Sequence, residues 1–150
     1  MRILVQVVQK ARVMVNQEVV GQIGRGFLLL VGFTTTDDVI IVQKMAEKVL
    51  ALRLFPDDQG ATNRSLVDVS GEILSVSQFT LYGDVRHGRR PSFTAAMSGE
   101  KSQKLYQEFN RIIENDFGQI ATGIFGAMMQ IELVNDGPCT LLLDSQEIYG

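Results

Sequence analysis

The sequence predicts one α/β domain over residues 1–150: a curved, mainly antiparallel or mixed β-sheet, barrel-like at its core, with two main α-helices packed outside. Three observations carry this. Apolar residues alternate with polar ones at both ends of the chain, as in strands with one buried face. Only two segments repeat apolar residues at helical spacing. Glycine and polar turn clusters divide the remainder into short pieces.

From Arg2 to Phe33 the pattern reads strand, turn, strand, turn, strand. Ile3, Val5 and Val7 alternate, Arg12 to Asn16 alternates again, and Phe27 to Val31 is a continuous apolar run suited to burial on both faces. Gly21, Gly24 and Gly26 lack the spacing of a dinucleotide loop and are expected to form a hairpin. Thr36 or Asp37 is expected to cap a helix reaching Leu52, with Val39, Val42, Met45, Ala46, Val49 and Leu50 on one side. Pro56 to Asn63 reads as a polar turn region, Leu66 to Val69 as a short strand, and Glu72 to Leu81 as a longer one. A second helix is expected over Gly99 to Phe117, with Leu105, Phe109, Ile112, Ile113 and Phe117 on one stripe and Gly118 as its stop. The last strands begin near Ile120, bend around Ile124 and Phe125, and continue as Met128 to Val134 and Cys139 to Leu143. Between those two, Asn135-Asp136-Gly137-Pro138 has hairpin-turn chemistry.

Composition narrows the function. A chain of 150 residues, 45% hydrophobic and 21% charged, buries a core of its own without staples. No apolar run approaches the ~20 residues of a membrane span, and Met1 to Val8 reads as strand rather than signal peptide, so a cytoplasmic location is expected. One cysteine and one histidine make no Cys/His cluster, so metal-dependent chemistry is not expected. The net charge of −3 argues against broad electrostatic binding to nucleic acid and leaves room for a local basic patch, Arg86-His87-Gly88-Arg89-Arg90.

Two polar segments, Ser77-Gln78-Phe79-Thr80-Leu81 and Asn135-Asp136-Gly137-Pro138-Cys139-Thr140, each close an apolar run and look like two halves of one site. In a regular strand Ser77 and Phe79 share one face while Gln78 and Thr80 share the other, so Ser77 and Thr80 cannot both serve one site without a bulge. A hydroxyl nucleophile would need a base, and His87 is the only histidine; no G-x-S-x-G elbow is present. Cys139 in an apolar strand reads as a small core residue. The chemistry that fits is stabilisation of an oxyanion by backbone N–H groups at the end of a strand, acting on an already activated ester.

On the Ser77–Leu81 segment, the Asn135-x-Gly137-Pro138-x-Thr140 segment, Arg90-Pro91-Ser92-Phe93 between them, and the order of elements, the whole chain resembles the D-aminoacyl-tRNA deacylase family. The resemblance implies a homodimer of compact barrel-like α/β subunits with a cis Gly137–Pro138 peptide. It implies that this peptide, with Asn135, lies on the substrate side of a pocket formed by Ser77, Gln78, Phe79, Thr80 and Leu81 of the other subunit. There the Gly137 and Pro138 carbonyls receive the substrate's α-amino group and exclude an L side chain, while a D side chain or the hydrogen of glycine is admitted.

The implied reaction is hydrolysis of D-aminoacyl-tRNA, and by the same logic of mischarged glycyl-tRNA, without a cofactor. The backbone amides of Phe79 and Thr80 hold the oxyanion, and the terminal ribose 2′-hydroxyl assists water. Phe125, Met128 and Met129 offer a platform for the terminal adenine, and Arg86, Arg89 and Arg90 an acceptor-stem contact. Two positions depart from the family pattern. Gln6-Val7-Val8 lacks the usual arginine that would brace the Gly-Pro loop, and Cys139 stands where valine is common. Two other readings remain open at this point: a conventional esterase using Ser77 or Thr80 with His87, and a non-catalytic RNA-binding or dimeric scaffold.

Overall fold

The computed structural model describes residues 1–150. Its core is a six-stranded mixed sheet built around β1 (Arg2–Val15). Asn16 and Gln17, both at positive φ, form the two-residue turn that leads into β2 (Glu18–Ile23). Two positive φ angles are what a tight hairpin requires to match the twist of its strands. β3 (Gly26–Gly32) lies on the same edge of β1 as β2 and in the same register, with Ala11 opposite Ile23 and Val8 opposite Gly26.

The expected hairpin at Gly21 to Gly26 is therefore absent, since one strand is merely interrupted at Gly24–Arg25. Glycine is required there for a different reason. A Cβ on Gly26 would sit 1.8 Å from the Glu72 carbonyl oxygen, so only a bare backbone lets β6 (Glu72–Ser77) pair alongside. β6 is parallel to β3, and β7 (Ala121–Thr122) extends the sheet parallel to β6. β4 (Phe55–Pro56) and β5 (Thr62–Arg64) form a separate small ladder. Leu66 to Val69, expected as a strand, is a turn closed by Gly71 N–H on the Leu66 carbonyl, 2.8 Å.

β8 (Gln130–Asp144) covers the other edge of β1 along nearly its full length. The two strands and hairpin expected over 128–143 are thus one strand with a wide bulge. A turn residue set had suggested reversal, but pairing with β1 on both sides of the bulge keeps the chain running straight.

Helices α1 (Val39–Ala51) and α2 (Gly99–Asp116) pack on one face of the sheet. The cap of α1 is Asp38, whose carboxylate accepts from the Ile41 N–H at 3.0 Å. Asp37 is committed elsewhere, accepting from the Met1 ammonium at 2.6 Å and from the Thr34 N–H at 2.7 Å. Val39, expected on the apolar side of α1, is exposed, while Val42, Met45, Ala46 and Val49 are fully buried. In α2 Phe109, Ile112 and Ile113 are buried as the stripe requires. A third helix, α3 (Ser145–Tyr149), is capped by Asp144.

The core has two parts. Ile3, Val5, Val7, Phe27, Leu29 and Val31 meet the helices. Val8, Ala11, Val13, Ile23, Leu28, Leu74 and Val76 fill the concave side, where the sheet curls toward a barrel. No helix is long and apolar enough to cross a membrane.

Candidate active site

β6 ends at Ser77. The Gln78 N–H still donates to the Val31 carbonyl at 2.7 Å, but Gln78 leaves extended geometry at ψ 84°, and Phe79–Tyr82 form one turn of 3-10 helix. Leu81 N–H donates to the Gln78 carbonyl at 3.3 Å and Gly83 N–H to the Thr80 carbonyl at 2.9 Å, closing the turn. The N–H groups of Phe79 and Thr80 precede the first donor of that turn, Leu81, so no carbonyl of the turn receives them. The strand expected to reach Leu81 stops four residues short. Strand parity accordingly does not divide the segment: Ser77, Gln78 and Phe79 all line one cleft. Glycine at position 32 permits this, because a Cβ there would come within 2.7 Å of the Gln78 carbonyl oxygen.

The cleft holds about 680 Å³ and is mainly apolar. Ser77 to Phe79 and Phe125 to Met129 both line it. Sequence reasoning missed the floor, which is Met97 to Gly99 and Ser102 at the start of α2; the only signal was Phe93 just after Pro91. Phe79 is 56% exposed and meets Phe93 edge to face at 5.1 Å. Phe125 is half-buried against Tyr106, with ring centres 5.9 Å apart, and Met128 is 91% exposed at the lip.

The Thr80 hydroxyl accepts a hydrogen bond from the Gln78 side-chain amide. A carboxamide cannot remove a proton, so this contact orients Thr80 without activating it. His87 is exposed, and neither the Ser77 nor the Thr80 hydroxyl hydrogen-bonds to it.

The Gly-Pro segment lies elsewhere on the chain. Between the pairs Gln6–Thr140 and Val8–Asn135, the single residue Val7 faces Asp136 to Cys139, so β8 bulges outward. Gly137–Pro138 is cis, Gly137 has φ +121°, and both residues are exposed. Asn135 clasps the bulge: its side-chain amide donates to the Val7 and Cys139 carbonyls, each at 2.9 Å. Gln9 reaches Asp136 at 3.4 Å, and Thr140 reaches Asn135 at 3.4 Å. Val7, expected to leave the bulge without a basic brace, contributes its carbonyl as the anchor for Asn135. Cys139 is half-buried and packs against the main core. Asn135, Gly137 and Pro138 do not line the cleft of their own chain. The outer edge of β8 pairs with no strand, and Val134, Leu141 and Leu142 are exposed along it.

The basic loop is a small hairpin closed by reciprocal bonds between Asp84 and Ser92, both 2.8 Å. Arg86 folds back onto Asp84, with Nη2 2.7 Å from Oδ2, and holds that carboxyl down to about 2. Arg89 and Arg90 are exposed at the tip and form no ion pair, leaving two of the three arginines free.

The family of D-Tyr-tRNA(Tyr) deacylases matches residues 4–144. The D-aminoacyl-tRNA deacylase of Clostridium acetobutylicum is 48% identical over 149 residues, which is 99% of this chain and 100% of that one. That of an Exiguobacterium species is 53% identical over 144 residues, 96% and 98% of the two chains. A solved structure described as c-Myc DNA Unwinding Element Binding Protein superimposes with a TM-score of 0.91 at 38% identity, covering 97% of this chain and 99% of that one. A structure described as that of "a probable eukaryotic D-amino acid tRNA deacylase" shares the fold, with a TM-score of 0.83 at 18% identity over 95% and 97% of the two chains. A match over 141 of 150 residues, with half of all positions identical to full-length relatives, places the chain in the D-aminoacyl-tRNA deacylase family.

Proposed function

We propose that the protein hydrolyses the ester joining a D-amino acid to the terminal adenosine of tRNA, releasing both. The observation that carries this reading is the turn that begins at Phe79, where the cleft lining ends: its first N–H groups, on Phe79 and Thr80, have no acceptor within the turn, although the Thr80 side chain itself lies outside the lining. Water attacks the ester carbonyl, the carbonyl oxygen becomes the tetrahedral oxyanion, and the two N–H groups receive it. Collapse of that intermediate expels the ribose oxygen, which takes a proton, and leaves the free D-amino acid and tRNA. Aminoacyl esters are activated enough that positioning and oxyanion stabilisation suffice, with the ribose 2′-hydroxyl helping to orient the water.

Specificity resides in the Gly137–Pro138 bulge. It lies outside the cleft of its own subunit, on an unpaired strand edge bearing Val134, Leu141 and Leu142. In this reading two copies associate, and the bulge of one subunit faces the Ser77–Leu81 pocket of the other. The Gly137 and Pro138 carbonyls hold the substrate ammonium, and their backbone fills the space an L side chain would need. Glycyl esters, which have no side chain, pass the same filter. Phe125 and Met129 contact the terminal adenosine, and Arg89 and Arg90 the acceptor-stem phosphates.

The deciding experiment compares deacylation of D- and L-tyrosyl-tRNA by the purified protein in chelating buffer. Fast hydrolysis confined to the D ester is expected. No D-specific hydrolysis would overturn the proposal, and tRNA binding without turnover would move it to a binding protein.

A further inference from the structure

We propose that Arg2 is a positioning residue of the oxyanion turn, an inference that rests on the deacylase reading above. The turn Phe79–Tyr82 hangs from two anchors. On its N-terminal side the Gln78 N–H is held by the Val31 carbonyl of β3. On its C-terminal side the Leu81 carbonyl accepts from Arg2 Nη1 at 2.7 Å. Those two anchors bracket the Phe79 and Thr80 N–H groups and fix the direction in which they point.

Arg2 is itself fixed. Its Nε donates to Asp144 Oδ2 at 2.8 Å, while Asp144 Oδ1 accepts from the Gln146 N–H at 2.9 Å, so both carboxylate oxygens are committed. The guanidinium plane lies over the Tyr82 ring, 4.6 Å from its centre. The Tyr82 hydroxyl is buried without a partner, so the ring is retained by its contact beneath Arg2 and not by its oxygen. A planar cation with separated donors satisfies Leu81, Asp144 and Tyr82 together; an ammonium cannot.

The test compares Arg2→Met, Arg2→Lys and Arg12→Met with the intact protein. Arg12 is a second β1 arginine, paired with exposed Glu132 at 2.7 Å, and its loss removes the same charge away from the turn. Readouts are kcat and KM on D-tyrosyl-tRNA and amide hydrogen exchange at residues 79–82. Arg2→Met is expected to lower kcat about ten- to a hundredfold with KM within about twofold, since misplaced donors stabilise the transition state poorly while leaving ground-state binding intact. Exchange at the turn should accelerate while the β1–β3 ladder is unchanged. Arg2→Lys should recover part of kcat, and Arg12→Met should match the intact protein.

Wild-type kcat in Arg2→Met, an equal loss in Arg12→Met, or a kcat loss with unchanged exchange at the turn would each overturn the proposal. If Arg2→Met fails to fold, Arg2→Lys decides, with wild-type kcat overturning it. Inactivity of the intact protein would instead refute the deacylase reading, and with it the effect of Arg2 on turnover, while exchange would still report whether Arg2 clamps the turn.

Discussion

Replacing Asn135 by alanine removes the clasp of the Gly-Pro bulge without touching the oxyanion turn. Two hydrogen bonds are lost, to the Val7 and Cys139 carbonyls, each 2.9 Å in the native protein. At about 1 kcal/mol apiece for partly buried bonds the cost is about 2 kcal/mol. For a chain of this size that lowers Tm by about 4–8 °C. If the bulge sets chirality, the same energy bounds the loss of discrimination: about 2 kcal/mol is about thirtyfold in the ratio of kcat/KM for D- and L-tyrosyl-tRNA. Asn135→Asp should be worse than alanine, because it aims a carboxylate oxygen at two carbonyl oxygens. The assay is paired deacylation kinetics alongside thermal melts at fixed protein concentration. A variant Asn135→Ala with unchanged Tm and a D-to-L ratio within about threefold of native would refute the clasp, as would an aspartate variant more stable than the alanine one.

Thr80→Val should retain at least about a tenth of the native rate, because the hydroxyl meets only the Gln78 amide and the proposed mechanism uses the Thr80 N–H alone; a loss on the order of a thousandfold would make Thr80 the nucleophile. Changing Arg89 and Arg90 together to alanine should raise KM for tRNA several-fold and flatten its salt dependence by about one to two phosphates, measured as log KM against log salt. Asp84, held down to about 2 by Arg86 against an ordinary value of 3.8, should keep Arg86 folded onto it above about pH 4 and release it as pH falls toward 2. The carboxyl carbon shift of Asp84 reports this directly, and a midpoint near 3.8 would show that the pair does not form in solution.

Helices α1 and α2 were legible because each carries a long apolar stripe at helical spacing, and pattern alone specifies such elements. The proposed catalytic segment was legible as residues but not as geometry. Ser77 to Leu81 continues the strand pattern of Glu72 to Val76, and only the pairing of Gln78 with Val31, together with Gly32 beneath it, shows where the strand must end. The Asn-Asp-Gly-Pro set misled for a related reason. Its turn chemistry is real, yet β1 offers ladder partners on both sides of it, and those non-local bonds turn a would-be hairpin into a bulge. The floor of the cleft was invisible, since Met97 and Ser102 become part of a site only when α2 is packed onto the sheet. Arg2 carried no signal either, because its partners Leu81 and Asp144 lie 79 and 142 residues away.

The position of the bulge follows from a change of face within β1. Ile3, Val5 and Val7 point to the helix side, whereas Val8, Ala11 and Val13 point into the concave side. A regular strand cannot do this, because every second residue shares a face. The change occurs where Val8 pairs with Asn135 and Lys10 with Val134, leaving Gln9 as an extra residue on β1. Immediately beside it β8 carries its own surplus, Asp136 to Cys139 opposite Val7, and Gln9 reaches across to Asp136. The curl that gives the sheet its second core and the protrusion of Gly137–Pro138 are thus one distortion shared by two strands. Straightening either would cost the concave core as well as the bulge. Deleting Gln9 should accordingly unfold the protein, and not merely relax its specificity; a folded, D-selective deletion variant would show that the two distortions are independent.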